Sequence, residues 1–155
     1  MNLRTLLVST AALIVFVSGP AAPMDEPEPS DALAAKNVDF AQGRRAVEAR
    51  DWKTAIEKLN AADKRTANNA EIYNLLGFAY RNDGQVDVAI KHYQRALQID
   101  SRHRGANEYI GEAYLMLNNP AKAEEHLAAL KRLCPSVCPE RDELASKISQ
   151  YRAKK

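Results

Sequence analysis

Glu71-Ile-Tyr73-Asn74-Leu75-Leu76-Gly77-Phe78-Ala79-Tyr80, followed by Ala89, Tyr93 and Ala96, is the stretch whose reading decides the fold. It returns every 34 residues: Gly77 has counterparts at Gly43 and Gly111, and Ala89 at Ala55 and Ala123. Tyr80 matches Tyr114, and Tyr93 lines up with Leu59 and Leu127. Small residues return to small and large to large, which points to a unit built from one helix pair and stacked. Small residues at Gly77 and Ala89 suit two helices crossing at about 8–10 Å or closer. Large ones at Tyr80 and Tyr93 suit the space between one pair and the next. The reading is an all-α, right-handed α-solenoid of antiparallel helix pairs, stabilised by nearest-neighbour contacts.

Working outward, the 155 residues suffice for one domain with its own core. Lys and Arg number 22 against 20 Asp and Glu, a net charge of +2. Removing the first 21 residues, whose one charged side chain is Arg4, leaves +1. No clustered basic footprint for nucleic acid follows from that balance, and no nucleic-acid partner is expected. The N-terminus has its own character. Met1-Asn-Leu-Arg4 is a short positive segment, Leu6–Val17 an apolar run, and Gly19-Pro-Ala21 or Pro20-Ala-Ala22 a set of small residues. This is the layout of a cleaved signal peptide over residues 1–21, the run being too short to span a bilayer. No membrane association is expected after its removal, and the expected location is periplasmic or secreted. Residues 22–30, with three prolines and three acids, read as a disordered spacer before the domain at 31–155.

Taken in order, the helices expected are about Asp31–Arg50 and Trp52–Lys64, then Ala70–Asn82 and Val86–Ile99, then Arg104–Leu117 and Pro120–Leu133. These make repeats over about 36–69, 70–103 and 104–137. Asn82-Asp-Gly84 and Asn118-Asn119 supply the turns, and Pro120 opens a helix at the position that tolerates it. The first copy is degenerate: Asp39, Gln42 and Ala46 stand where Tyr73, Leu76 and Tyr80 stand in the second. A last helix over about 139–153 keeps the register through Leu144, Ala145 and Ile148 and is expected to cap the stack.

With Tyr73, Leu76-Gly77, Tyr80, Ala89, Tyr93 and Ala96 in the second copy, the chain resembles the tetratricopeptide repeat family. Ile110-Gly111, Tyr114, Ala123, Leu127 and Pro135 carry the likeness in the third copy. Departures are Ser101, where Pro is usual, Asn107, where the aromatic is missing, and Leu130 for Ala. The resemblance implies three repeats plus a C-terminal capping helix, with the first helix of each pair lining a concave groove. Groove residues on that basis are Phe40, Arg44, Asn74, Phe78, Arg81, Glu108, Tyr109, Glu112 and Met116, with Asn37, Val47 and Leu115 beside them. Phe40, Phe78, Tyr109 and Met116 would form an apolar floor, and Arg44, Asn74 and Arg81 polar anchors. Such a floor suits an extended peptide or a helix. Asn74 and Arg81 partly resemble the clamp with which some relatives hold a partner's C-terminal carboxylate.

Cys134 and Cys138 are the two cysteines. In an exported chain so close a pair reads as a disulfide pinning the cap. The alternative is a thiol-dependent metal or redox site, although three residues separate the cysteines and His126 is the nearest histidine. His92 and His126, 34 residues apart, read as solvated residues of the convex surface, and His103 as a loop residue. No nucleophile–base order or phosphate-cradling loop stands out, so no enzyme activity and no cofactor are expected. The expectation is an exported interaction module, an adaptor or scaffold for an envelope complex, taking a protein or peptide partner. It would be monomeric or weakly self-associating, with a self-assembling scaffold as a further alternative.

Overall fold

The computed structural model describes residues 29–154. The expected signal peptide and residues 22–28 of the spacer lie outside the described residues. Helices α1 (Pro29–Lys36), α2 (Val38–Glu48), α3 (Trp52–Arg65) and α4 (Ala70–Asn82) are followed by α5 (Val86–Ile99), α6 (Arg104–Met116), α7 (Pro120–Leu133) and α8 (Pro139–Ala153). Among the described residues the structure is all helix and turn.

Local chemistry starts the helices. The side chains of Asn37, Asp51, Asn69, His103 and Asn119 accept from backbone N–H groups that the first turns of α2, α3, α4, α6 and α7 leave unpaired. The turns inside the pairs share one device. Arg50, Gly84 and Asn118, spaced by 34 residues, all adopt positive φ, at 58°, 86° and 56°. Gly84 takes that conformation freely and Asn118 tolerates it, whereas Arg50 holds it against the steric preference of an ordinary side chain.

Pairs α2/α3, α4/α5 and α6/α7 pack internally, and α3 on α4 and α5 on α6 join one pair to the next. The small-residue slots make this approach possible. A Cβ at Gly43 would lie 2.7 Å from Leu59, and one at Gly77 2.5 Å from the Tyr93 ring. Successive first helices also touch, α2 with α4, α4 with α6, and α6 with α8. Those contacts exceed the ones between second helices, which puts the first helices on the inner side of the curve. The stack is a helical solenoid.

Two boundaries differ from the sequence expectation. The first helix breaks at Asn37, which leaves the helical region (φ −126°, ψ 99°) and turns its side chain inward. Its amide donates to Ala62 O and to Thr66 Oγ1, both at 3.0 Å, while Oδ1 caps Phe40 N–H. A residue 2% exposed with all those groups partnered is worth more as a junction than as one more helical turn. The helix before it starts at Pro29, inside the expected spacer. There α1 packs on α2, with Leu33 and Ala34 against the first core cluster.

At the other end α8 fills the place of a further first helix. Gly111 is close-packed against Leu144 of α8, where a Cβ would lie 2.7 Å away. Cys134 ends α7 and Cys138 precedes α8. The two are bonded, with Cα atoms 5.8 Å apart, and Cys138 is fully buried.

Candidate functional site

The concave face is built on α2, α4, α6 and α8. Along a helix, residues three or four apart share a face. Asn74, Phe78 and Arg81 therefore form one stripe on α4, and Glu108, Glu112 and Leu115 another on α6. At the centre the two stripes meet. The rings of Phe78 and Tyr109 lie 5.1 Å apart, and the Arg81 guanidinium sits 5.4 Å from both ring centroids. Arg81 also pairs with Glu112, both side chains being largely covered. Trp52, at the start of α3, packs edge-on to Phe78 at 6.1 Å. Phe78 is half-buried, as is Tyr109.

Electrostatics at this centre follow from burial. Desolvation opposes the Arg81 charge, but Tyr93 and Glu112 outweigh it and the guanidinium holds its proton more tightly than usual. Burial pushes the Tyr109 phenol up to about 12, with Glu108 adding to the effect. Burial also pushes the Glu108 carboxyl up to about 7, reinforced by Glu112, Glu140 and Glu143 and opposed by Arg81.

The residues read from the sequence do not all meet at this centre. Phe78, Arg81, Tyr109, Glu112 and Glu108 come together. Asn74 sits one turn before Phe78 but is 4% exposed; its amide nitrogen is 3.4 Å from Glu71 Oε2, and its Oδ1 has no hydrogen-bond partner among the described residues. Met116 is exposed at the end of α6 beside a cleft of about 300 Å³ lined by Arg81, Glu112, Leu115, Lys147 and Tyr151.

Phe40 is a correction. It is fully buried and belongs to the first core cluster, against which Leu33 and Ala34 of α1 and Trp52 and Ile56 of α3 pack. Arg44 is likewise engaged by α1, through a 2.6 Å ion pair with Asp31. Val47 packs on the first core cluster, and Asn37 is the buried junction described above. The groove floor thus begins at Phe78, on the second pair.

The histidines are a second correction. His92 and His126 are half-buried and stacked rather than solvated. His92 lies over Tyr80 at 5.0 Å and near Tyr73 at 6.1 Å, and His126 over Tyr114 at 5.9 Å. Burial lowers the pKa of both. His103 caps α6: Nδ1 accepts from Ala106 N–H at 3.1 Å, which leaves Nε2 as the donor to Glu71 Oε2 at 2.9 Å.

Trp52 and the α8 residues Glu140, Glu143 and Lys147 were not singled out from the sequence. The usable signal for Trp52 was its identity as the one Trp, placed straight after a turn in an otherwise aromatic-poor chain.

The tetratricopeptide repeat profile matches residues 68–136. Human protein O-mannosyl-transferase TMTC3 is 30% identical over 89 residues, which is 57% of this chain and 10% of that protein. This chain therefore spans about a tenth of the length of that relative. The TPR domain of Arabidopsis OM64 superposes with a TM-score of 0.69 at 19% identity, over 77% of this chain and 98% of that one. The Yersinia enterocolitica type III secretion chaperone SycD, in complex with a peptide of the translocator YopD, gives 0.66 at 19% identity, over 77% and 91%. The profile match, the 34-residue spacing and the helix-pair packing agree that residues 68–136 are tetratricopeptide repeats.

Proposed function

We propose that this protein is an exported adaptor that holds an extended or helical segment of a partner protein along the concave face of α4, α6 and α8. The observation that carries the reading is the Phe78–Tyr109–Arg81–Glu112 centre. Two half-buried aromatic rings stand on the inner faces of neighbouring first helices, with an ion pair already fixed between them. Aromatic anchors beside ordered polar groups are what recognition of a short segment uses. The similarity to SycD, whose structure holds a peptide, agrees with this use of the face.

Arg81 faces Glu112 rather than open groove, so capture of a partner's C-terminal carboxylate is disfavoured. The buried, bonded cysteine pair supports a structural use at the cap rather than thiol chemistry, and it accords with export. Quantitative oxidation and an N-terminus beyond residue 21 in the mature protein, read by mass spectrometry, are the results that export requires.

The test of the groove is Phe78→Asp. A charge placed between Trp52, Tyr109 and Arg81 removes partner proteins that co-purify with the wild type from its own compartment, while the helical spectrum persists. An unchanged set of partners counts against the groove.

A further inference from the structure

Helices α6 and α8 pack together, and Glu108 on α6 feels the charges of Glu112 on its own helix and of Glu140 and Glu143 on α8. Those three have cations. Glu112 pairs with Arg81, Glu140 lies 3.5 Å from Arg104, and Glu143 lies 3.0 Å from Lys147. Among the described residues Glu108 makes no hydrogen bond and no ion pair, yet it is 8% exposed. A carboxylate so covered and unpaired is costly to keep charged. Glu112, Glu140 and Glu143 act against its charge and Arg81 acts for it, and Arg81 already has a partner. The field at Glu108 therefore invites one more cation.

The kind of cation is limited by geometry. Among the described residues no three acidic, histidine or cysteine side chains converge to hold a metal ion. A side-chain cation can reach Glu108 on a stem of its own. The stem has a surface to lie on: Tyr109 is the next residue, and its ring leans on Phe78 at 5.1 Å. Aliphatic stems of long cationic side chains pack on such surfaces while the head keeps its ion pair.

We propose that the segment held in the groove carries a lysine or arginine whose charged head pairs with Glu108, its stem lying across Tyr109 and Phe78. This rests on the groove reading above and names the partner's chemistry. The partner is basic at the position opposite α6, and an acidic or carboxylate-ended segment is repelled there by Glu108, Glu140 and Glu143.

The experiment uses three synthetic peptides of equal length, alternating Leu with Lys, Leu with Gln and Leu with Glu. Each is titrated into the full chain at pH 8, followed by Trp52 fluorescence and by amide shifts of α4 and α6. The expected order is Lys, then Gln, then Glu, with the Lys peptide binding about tenfold tighter than the Gln peptide at low salt. In Glu108→Gln, an isosteric change whose melting curve verifies folding, the Lys and Gln peptides bind within about twofold of each other. Equal binding of the Lys and Gln peptides to the wild type overturns the cation site and leaves the groove standing. So does a lysine preference that survives Glu108→Gln. If none of the three peptides perturbs α4 or α6, the groove reading fails and this inference fails with it.

Discussion

Glu108 shows how one side chain records its surroundings. Its carboxyl titrates near 7 because burial disfavours the charge and Glu112, Glu140 and Glu143 add repulsion that Arg81 offsets in part. In the unfolded chain a glutamate titrates at about 4.3. The folded state therefore binds this proton more tightly. That contribution to stability is complete below the unfolded pKa and is lost as pH rises through about 7. The prediction is a comparison: Glu108→Gln equals the wild type in stability near pH 4.5 and exceeds it by about 1–2 kcal/mol at pH 8, discounted for the water that reaches the carboxylate edge. His92 and His126, whose pKa values burial lowers, lose stability on the acid side and cancel between the two proteins. Urea melts at the two pH values decide it, and an equal midpoint difference at both removes the claim.

At the scale of helices, the glycine slots were legible from spacing, but not what fills them. Gly77 receives Tyr93 from its own pair, as Gly43 receives Leu59. Gly111 receives Leu144 from the cap instead. Gly77→Leu and Gly111→Leu both overpack and each costs at least about 1–3 kcal/mol in thermal or urea melts. The partners distinguish them. Leu144→Ala couples to the Gly111 substitution in a double-mutant cycle by about 0.5–3 kcal/mol and is additive with the one at Gly77. A Gly111 cost indifferent to Leu144 contradicts this packing.

Other features were hidden from the sequence for definable reasons. The run Ala32-Leu-Ala-Ala-Lys36 carries helix formers right up to Asn37, so the break is invisible until the distant acceptors Ala62 and Thr66 are in place. Phe40 reads as a groove residue from its place in the repeat, and only the packing of neighbouring helices puts it in the core. Stacking of His92 on Tyr80 depends on the angle between helices, which a repeat period does not contain.

For the molecule as a whole, stability in a stacked array is distributed rather than shared equally. The two ends are closed differently. At the C-terminal end α8 buries Leu144 and Ile148 and is tied by the Cys134–Cys138 bond. At the N-terminal end α1 has eight residues, none of them buried. The first pair also carries Arg50 in the left-handed region, where the later pairs have Gly84 and Asn118. An ordinary residue held there costs about 1–2 kcal/mol relative to its preferred conformations. That cost has a spectroscopic signature, because Trp52 lies two residues beyond Arg50 and no other tryptophan competes with it. In urea, tryptophan emission is expected to change before far-ultraviolet ellipticity does, so two optical probes of one sample disagree on the midpoint. Arg50→Gly relieves the turn and brings the two curves together. Curves that coincide in the wild type would mean that the first pair melts with the rest, and the strained turn would then set only the height of a single transition.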